Sequence, residues 1–459
     1  MWQPHNSLRV ANPSNPNDLR PNDLRRNDPR RNDPRRNDPR PNDLRRYLLK
    51  IVLIGLLLRV CGMVLMHSYR VKLDYDEGAH IAAAIASGQG FSNPFGPPTG
   101  PTAWLGPLFP FILSRFFIAF GIYTPTAIFW ALLFNCTVSA LTSIPVYFIA
   151  RYSFGERVAR WSAWIWALFP YTMYWGMRHP WDTPLSAFLL ALVFMMTVHL
   201  GESSTPLKWA GYGLLWGIAG LCNTAELLFL PFAGCWICYR QFRQGKPFFG
   251  SAALGAVLFF AVIAPWTIRD YHVFHKFIPI RGNFGVEFHL GNTPDAMGAW
   301  QSFKHPSQNV LELRKYKEMG EPAYVHSKLD LALQFVRAQP ARFAYLTFAH
   351  FVYYWAGPPH AEKYPGIYEA KTFLYLSSSV FAFWGLLIAL RQRRPGAELF
   401  LFLFLFFPVI YYITFPVPRY RHPLEPAMLI LIVFLGSQWN AGSVERRVSG
   451  VPGVPARLD

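Results

Sequence analysis

Two groups of charged residues near opposite ends of the chain have side chains suited to group transfer. Asp74, Asp76 and Glu77 lie within the stretch LDYDEGAH, and Arg419 and Arg421 lie within PRYRHP. A carboxylate can take a proton from an acceptor hydroxyl. A guanidinium group grips a phosphate through two parallel hydrogen bonds. Together they favour a reaction in which a base activates an acceptor while cations stabilise a departing phosphate.

Each group also has a simpler interpretation. A short run of charges is usually a solvated face of the protein, and an arginine near a membrane often snorkels towards the headgroups. Carboxylates beside a membrane, however, are costly unless they face water or a partner. Asp182, in the stretch RHPWD, and Arg269, at the start of a long polar stretch, are further candidates of the same kind.

The composition indicates an all-α membrane protein that crosses the bilayer many times. Of 459 residues, 52% are hydrophobic and 15% are charged, whereas soluble chains average about 25% charged. Apolar runs long enough to span a bilayer recur along the sequence. The net charge of +18 does not indicate nucleic-acid binding, because much of it lies in the N-terminal tail and in short loops, where Lys and Arg set topology. No cleavable signal peptide is visible, so the first span is expected to act as the insertion signal.

The hydrophobic pattern predicts about ten spans in one domain, residues 47–440, between two cytoplasmic tails. Residues 1–46 carry a repeated NDxRx unit and are predicted to be disordered, and residues 441–459 form the second tail. Leu105–Tyr123 and Phe343–Trp355 are predicted to be re-entrant or interfacial, because crossings there would put basic loops on the wrong side. The predicted spans are Tyr47–Met66, Pro125–Ala150, Ala159–Met177, Leu185–Leu200, Trp209–Cys222, Leu227–Tyr239, Phe248–Ile268, Phe373–Leu390, Leu399–Ile413 and Met428–Leu435.

This topology places the polar clusters on the periplasmic or extracellular face. They lie in a first outer loop, residues 73–123, in the loop around Asp182, in a large outer loop, residues 269–357, and in the PRYRHP segment. Arg59 falls near the middle of the first span, so it must face the bundle interior or a cavity. The sequence leaves two environments for Arg59. One is an ion pair with a carboxylate of the following loop, and the other is packing against backbone carbonyls.

Several motifs together resemble a known family. They are Tyr75-Asp76-Glu77-Gly78, Gly88-Gln89-Gly90, Gly100-Pro101-Thr102-Ala103, Pro265-Trp266-Thr267-Ile268-Arg269 and Pro418-Arg419-Tyr420-Arg421. Their identity and order resemble the GT-C fold glycosyltransferases, within them the protein O-mannosyltransferase and aminoarabinose transferase group (glycosyltransferase family 39-like, including the RgtA/B/C/D-like domain). The resemblance extends over roughly Tyr47 to Trp439.

The resemblance implies an inverting hexosyl- or pentosyltransferase. Its donor would be a sugar on a polyprenyl-phosphate carrier, and its acceptor a glycolipid, glycan or protein at the outer face of the inner (plasma) membrane. Asp76 would be the base, supported by Glu77. No metal site is predicted and no cofactor is certain, although a divalent cation stays open. The residues expected to bind substrate are Asp74, Asp182, Arg269, Arg419, Tyr420 and Arg421.

Two other functions compete with this prediction. A transporter or lipid flippase should show inverted repeats and charges near the midplane of the bilayer, but the charges collect on one face. A polysaccharide polymerase or ligase would share the lipid-linked substrate and carry functional Arg and His in large outer loops, as this chain partly does. The acidic loop directly after the first span argues against it.

Overall fold

The computed structural model describes residues 41–357 and 365–449, and the chain divides into two units, Met1–Leu49 and Lys50–Asp459. Of the first unit only the beginning of one helix is described, so the account below concerns the second unit. Most of the predicted N-terminal tail and residues 450–459 lie outside the described residues. The two predicted tail boundaries differ from the structure, because residues 41–46 and 441–449 are helical.

The all-α prediction is confirmed for the described residues, which form nineteen α-helices and no strand. The helices are α1 Pro41–Leu65, α2 Glu77–Ala86, α3 Leu108–Phe120, α4 Pro125–Leu141, α5 Ser143–Phe154, α6 Glu156–Leu168, α7 Pro170–Arg178, α8 Thr183–Glu202, α9 Pro206–Cys222, α10 Leu230–Arg243, α11 Phe249–Phe274, α12 Phe284–Gly291, α13 Val310–Met319, α14 Glu321–Ala338, α15 Pro340–Ala356, α16 Pro365–Arg391, α17 Ala397–Phe406, α18 Val409–Ile413 and α19 Glu425–Ser449.

Within residues 41–357 and 365–449, five helical stretches are long and apolar enough to cross a bilayer. They are α1, α4 together with α5, α8, α11 and residues Thr372–Arg391 of α16. The helix α3 and the stretch Ala397–Ile413 are apolar but shorter. A multi-pass membrane protein is therefore confirmed, while the count of about ten spans stays a prediction.

Two predicted spans are broken at a proline in the structure. The stretch 159–177 is divided between α6 and α7, and the stretch 399–413 between α17 and α18. A proline lies at each break, Pro170 and Pro408. Proline has no N–H to donate, and its ring clashes with the carbonyl one turn earlier. Phe169 before Pro170 is accordingly extended, with φ −75° and ψ 122°, as residues before proline usually are.

Arg59 satisfies backbone groups that the first break leaves free. Its side chain is fully buried, and its guanidinium group donates to the carbonyl oxygens of Ala167 (2.9 Å) and Trp166 (3.0 Å) at the end of α6. It also donates to Ser139 Oγ at 2.9 Å. The last carbonyls of a helix need such donors, and in a membrane only the protein supplies them. Of the two predicted alternatives for Arg59, packing against backbone carbonyls is the one observed.

Two stretches that carry functional candidates, the first polar segment (residues 66–107) and the second polar segment (residues 275–339), are joined by a buried carboxylate. Glu321, the first residue of α14, accepts hydrogen bonds from Thr102 Oγ1 at 2.5 Å and from the backbone N–H of Ala103 at 2.6 Å. The hydroxyl of Tyr316 donates to it at 2.7 Å. Buried carboxylates persist where donors surround them in this way. Glu321 thereby fixes two parts of the chain that are more than 200 residues apart.

Candidate active site

Asp76 is held in one orientation at the N-terminus of α2. Its Oδ1 accepts from the backbone N–H of Ala79 at 2.7 Å, so Asp76 caps the helix. Its Oδ2 accepts from the indole Nε1–H of Trp181 at 2.7 Å. A side-chain oxygen at this position satisfies one of the free N–H groups of the first turn. The carboxylate is 13% exposed and keeps lone pairs available for a further donor.

Glu77 follows Asp76 and has an unusual environment. Burial, and then the negative charge of Asp76, raise the pKa of Glu77 to about 7, although Arg419 and Arg281 oppose the shift. Its Oε1 lies 3.7 Å from Nδ1 of His305. Burial lowers the pKa of His305 to about 4, so His305 is neutral at pH 7 and the contact is not an ion pair there. Glu77 thus exchanges its proton close to neutral pH.

Arg419 lies in a 3₁₀ turn, Pro418–Leu424, between two aromatic rings. Its guanidinium carbon is 4.5 Å from the ring centroid of Trp181 and 5.4 Å from that of Tyr420. Burial opposes its charge, but Tyr420, Asp182 and Glu77 outweigh burial and raise the pKa of Arg419. Arg419 is therefore a permanent cation among carboxylates and aromatic faces.

Arg281 is a second cation at the site, and it was not among the predicted site residues. Its Nε donates to the carbonyl oxygen of Trp104 at 3.0 Å, and its Nη2 lies 3.2 Å from Oε1 of Glu287. Asn283 also donates to that oxygen, at 2.7 Å. In the sequence, Arg281 is one of many basic residues in a long polar stretch, and no spacing distinguishes it.

Two cavities meet at these residues. Cavity A has a volume of about 240 Å³ and cavity B one of about 370 Å³. Cavity B is within the size range of small-molecule sites, and cavity A is slightly below it. The residues that line both cavities, called here the shared wall, are Asp76, Glu77, Leu105, Trp181, Arg281, Glu287, Arg419 and Tyr420.

Cavity A lies among apolar helices. Its apolar lining includes Phe109 and Pro110 of α3 and Ile410 of α18. The first residues of α2 and α8 also line it, among them Asp182 and Thr183. Helix N-termini carry partial positive charge and free N–H groups, which favour an anion. Burial raises the pKa of Asp182, while Arg419 and Arg281 oppose that shift.

Cavity B is lined mainly by loops and by aromatic side chains. Its lining comes from the first polar segment, the end of α7 and the loop after it, the second polar segment before α13, and the residues before the 3₁₀ turn. The residues that line cavity B but not cavity A are Lys72, Leu73, Tyr75, Trp104, Trp175, His179, Trp300, His305, Ser307, Gln308, Phe415 and Val417.

The structure brings five of the predicted site residues together and leaves three apart. Asp76, Glu77, Asp182, Arg419 and Tyr420 all line cavity A. Asp74, Arg269 and Arg421 line neither cavity. Asp74 is exposed, and only its backbone oxygen makes a described contact, 3.0 Å from Nε2 of His80.

Arg269 fastens α11 to the first polar segment. Its guanidinium group donates to the carbonyl oxygens of Thr102 and Phe91, each at 2.7 Å. It also pairs with Asp270 at 2.7 Å and lies 5.0 Å from the ring centroid of Trp266. These contacts use three of its five N–H donors.

Arg421, which the sequence places among the substrate-binding residues, is buried within the helix bundle and lines neither cavity. Its Nη1 donates to the carbonyl oxygen of Tyr375 at 2.9 Å and to Ser379 Oγ at 2.8 Å, and its Nη2 donates to Ser378 Oγ at 3.1 Å. Its side chain is fully buried. The arginine two residues from Arg419 thus anchors the 3₁₀ turn to α16. Alternate residues of PRYR have different surroundings because the turn rotates successive side chains away from each other.

No group of three or more His, Cys, Asp or Glu placed to hold a metal occurs among the described residues. At cavity A the carboxylates of Asp182 and Glu77 stand beside Arg419 and Arg281, and both oxygens of Asp76 accept N–H groups. This donor set does not fit a dedicated divalent-cation cage, which needs several free oxygens converging on one point. Use of a divalent cation as a cofactor stays an open prediction.

Comparison with known proteins gives one family match within the chain. Residues 105–268 match the family described as dolichyl-phosphate-mannose-protein mannosyltransferase. This segment runs from the end of the first polar segment to α11 and includes Asp182. No curated protein matches the chain in sequence.

Among solved structures, the apo oligosaccharyltransferase of Archaeoglobus fulgidus is similar over 90% of this chain, with 14% identity and a TM-score of 0.50. The chain has a GT-C fold. The predicted GT-C fold is therefore confirmed. The chain described here spans about half of the archaeal oligosaccharyltransferase, 53% of its length.

Two further structures match this GT-C chain with lower scores. The archaeal oligosaccharyltransferase AglB from Archaeoglobus fulgidus, solved with an inhibitory peptide and a dolichol-phosphate, shares 15% identity over 90% of this chain and 53% of its own, with a TM-score of 0.49. ArnT from Cupriavidus metallidurans, solved with undecaprenyl phosphate, shares 14% identity over 88% of this chain and 83% of its own, with a TM-score of 0.36.

Proposed function

We propose that the protein is an inverting glycosyltransferase that moves a sugar from a polyprenyl-phosphate carrier to an acceptor hydroxyl. The observation that carries this proposal is the shared wall, where Asp76 and two arginines border both cavities. A transfer between two substrates needs such a place, since each substrate must reach the same reacting atoms. The matched family's description, which names dolichyl-phosphate mannose, supports a lipid-linked donor. A transporter would not need two cavities that end at one carboxylate.

Cavity A suits the lipid-linked donor. Its apolar lining from α3 and α18 can receive the end of a carrier chain, and the N-terminus of α8 favours its phosphate. Arg419 and Arg281 supply two fixed cations at the shared wall. Guanidinium groups already in place stabilise charge on the leaving phosphate without reorganising during the reaction.

The reaction at the shared wall follows from these positions. The acceptor oxygen attacks the anomeric carbon from cavity B and forms the new glycosidic bond. The bond between that carbon and the phosphate oxygen breaks towards cavity A, and its electron pair stays on the carrier phosphate. Asp76 takes the acceptor proton. Attack from the side opposite to the leaving group inverts the anomeric configuration.

The proposed site faces the periplasm or the cell exterior. The basic residues of the short loops support this orientation, because Lys and Arg collect on the cytoplasmic side. The N-terminus would then be cytoplasmic and the shared wall would open on the opposite face. Accessibility of a single cysteine placed at Asp74, tested with an impermeant thiol reagent on intact cells, would check the orientation.

A transfer assay with Asp76→Asn tests the assignment of the base. Purified full-length protein in nanodiscs is offered radiolabelled polyprenyl-phosphate sugars together with an extract of membrane lipids and glycans. We expect Asp76→Asn to lower the rate of transfer by about 10²- to 10⁴-fold, the usual contribution of a general base. Asparagine still caps a helix, so the variant should fold and insert normally.

Asp74→Asn is the matched control. It removes the same charge two residues from Asp76, and the side chain of Asp74 is exposed and lines neither cavity. Its rate should stay within about twofold of the wild type. Full activity of Asp76→Asn would remove the base from the mechanism. Absence of transfer by folded wild-type protein from every donor would count against the enzyme and favour lipid transport.

A further inference from the structure

The lining of cavity B combines many aromatic side chains with the charged residues of the shared wall. Four tryptophans line it, Trp104, Trp175, Trp181 and Trp300. Trp104 and Trp175 are buried, whereas Trp300 is 41% exposed at its edge. Tyr75, also in the lining, is 65% exposed. Aromatic faces carry negative partial charge and therefore attract groups with positive partial charge on their hydrogens, such as the C–H bonds on one face of a pyranose ring.

Two buried nitrogen atoms in the same lining have no hydrogen-bond partner among the described residues. They are Nε1 of Trp175 and Nδ1 of His179, of which the latter lies 3.8 Å from Oδ2 of Asp76. The indole N–H of Trp181, by contrast, is used by Asp76. A buried polar atom without a hydrogen-bond partner is costly, and a ligand hydroxyl, which both donates and accepts, would satisfy either atom. The two nitrogen atoms that a ligand hydroxyl would bind therefore lie beside the aromatic faces of cavity B.

Polar side chains complete the lining of cavity B on its exposed side. Lys72 and Gln308 are exposed, and Ser307 is partly exposed with its Oγ 2.7 Å from Nδ1 of His305. Flat aromatic faces combined with hydrogen-bonding groups match a carbohydrate, which presents apolar C–H faces and a rim of hydroxyls.

We propose that cavity B binds the acceptor as a carbohydrate, with a pyranose ring against Trp300 and its neighbours. The proposal rests on the transferase function above, and it narrows the acceptor to a glycan or the sugar part of a glycolipid. Because cavity B ends at Asp76, a ring held there places one of its hydroxyls against the base. Trp300 is a binding residue in this scheme, and it takes no part in the proton transfer.

A binding experiment without donor tests the site independently of transfer. Full-length protein in nanodiscs is titrated with methyl pyranosides and short oligosaccharides of glucose, galactose, mannose and N-acetylglucosamine, and with a Ser/Thr-containing peptide. Binding is followed by tryptophan fluorescence and saturation-transfer NMR. We expect at least one saccharide to saturate the wild type, Trp300→Ala to weaken it by about tenfold, and Trp300→Phe to stay within about threefold.

Phe303→Ala is the matched control, because Phe303 is an aromatic residue of the same loop that is 56% exposed and lines neither cavity. It should leave saccharide binding unchanged. The proposal is overturned if no saccharide binds, if Trp300→Ala binds as the wild type does, or if only the peptide binds and competes at Trp300. If saccharides bind in a way that depends on Trp300 but no donor supports transfer, the transferase function is wrong and the carbohydrate site is retained. If transfer occurs only to the peptide, the transferase function is retained and the carbohydrate site is wrong.

Discussion

At the scale of single residues, Glu77 is the group whose charge changes near neutral pH. Its pKa is raised to about 7, and it shares the wall with Arg281 and Arg419. Below pH 7 it is neutral, and the two cations are free to attract a phosphate. Above pH 7 its negative charge offsets part of theirs. The donor, a phosphodiester, keeps its charge throughout this range.

We therefore expect the KM for the lipid-linked donor to rise as pH increases through 7, by about 3- to 10-fold between pH 6 and pH 8. Glu77→Gln, which is neutral at every pH, should keep the low KM and lose this dependence. Steady-state kinetics over that range provide the measurement. The same rise of KM in Glu77→Gln as in the wild type would assign the titration to another group.

The sequence predicted part of this residue set for a physical reason. Asp76, Glu77 and Arg419 stand out as charges beside apolar segments, where an unpaired charge is costly, and the structure brings them together. Arg281 and Trp181 did not stand out. Arg281 lies in a stretch rich in charges, and the role of Trp181 comes from a hydrogen bond to a residue 105 positions away, which no local pattern reveals.

At the scale of helices and turns, Arg419 and Arg421 make opposite contributions although they are two residues apart. Arg421 binds three groups of α16, and Arg419 faces both cavities. We expect Arg421→Ala to lower the free energy of unfolding by about 3–5 kcal/mol, because it leaves buried partners unpaired. Thermal unfolding in nanodiscs measures this loss.

Arg419→Gln provides the comparison for that prediction. It should change thermal stability much less and reduce kcat/KM for the donor by about 10²-fold, the effect of losing one preorganised donor to a developing charge. If Arg421→Ala instead unfolds like the wild type and raises the donor KM, the anchoring role given to Arg421 is incorrect, and the original expectation of a phosphate contact returns.

Helix positions were predictable from the sequence, whereas helix breaks were not. The apolar stretches agree with the observed helices because burial in lipid requires about 20 apolar residues. Pro170 and Pro408 are visible in the sequence, but a proline in a membrane helix is compatible with either a kink or a break. At Pro170 the break is accommodated because Arg59, from a different helix, supplies donors to the freed carbonyls. That arrangement exists only in the folded bundle.

At the scale of the whole molecule, the site depends on distant segments held in register. Arg269 and Glu321 both bind Thr102 in the first polar segment, from α11 and from α14. The sequence predicted that the polar segments share one side of the membrane, since loop charges report sidedness. It did not indicate these two attachments, because a buried carboxylate or arginine becomes informative only when its partners are known.

The shared wall has a consequence for the protein in the absence of an acceptor. Cavity B is lined by the same carboxylate as cavity A. On the proposed mechanism, water entering cavity B would be deprotonated there and attack the anomeric carbon. We expect slow donor hydrolysis, abolished in Asp76→Asn and suppressed when an acceptor fills cavity B. The sugar first released should have the anomeric configuration opposite to that of the donor, which NMR recorded before mutarotation would detect. Release with the original configuration would imply a covalent intermediate in place of direct displacement.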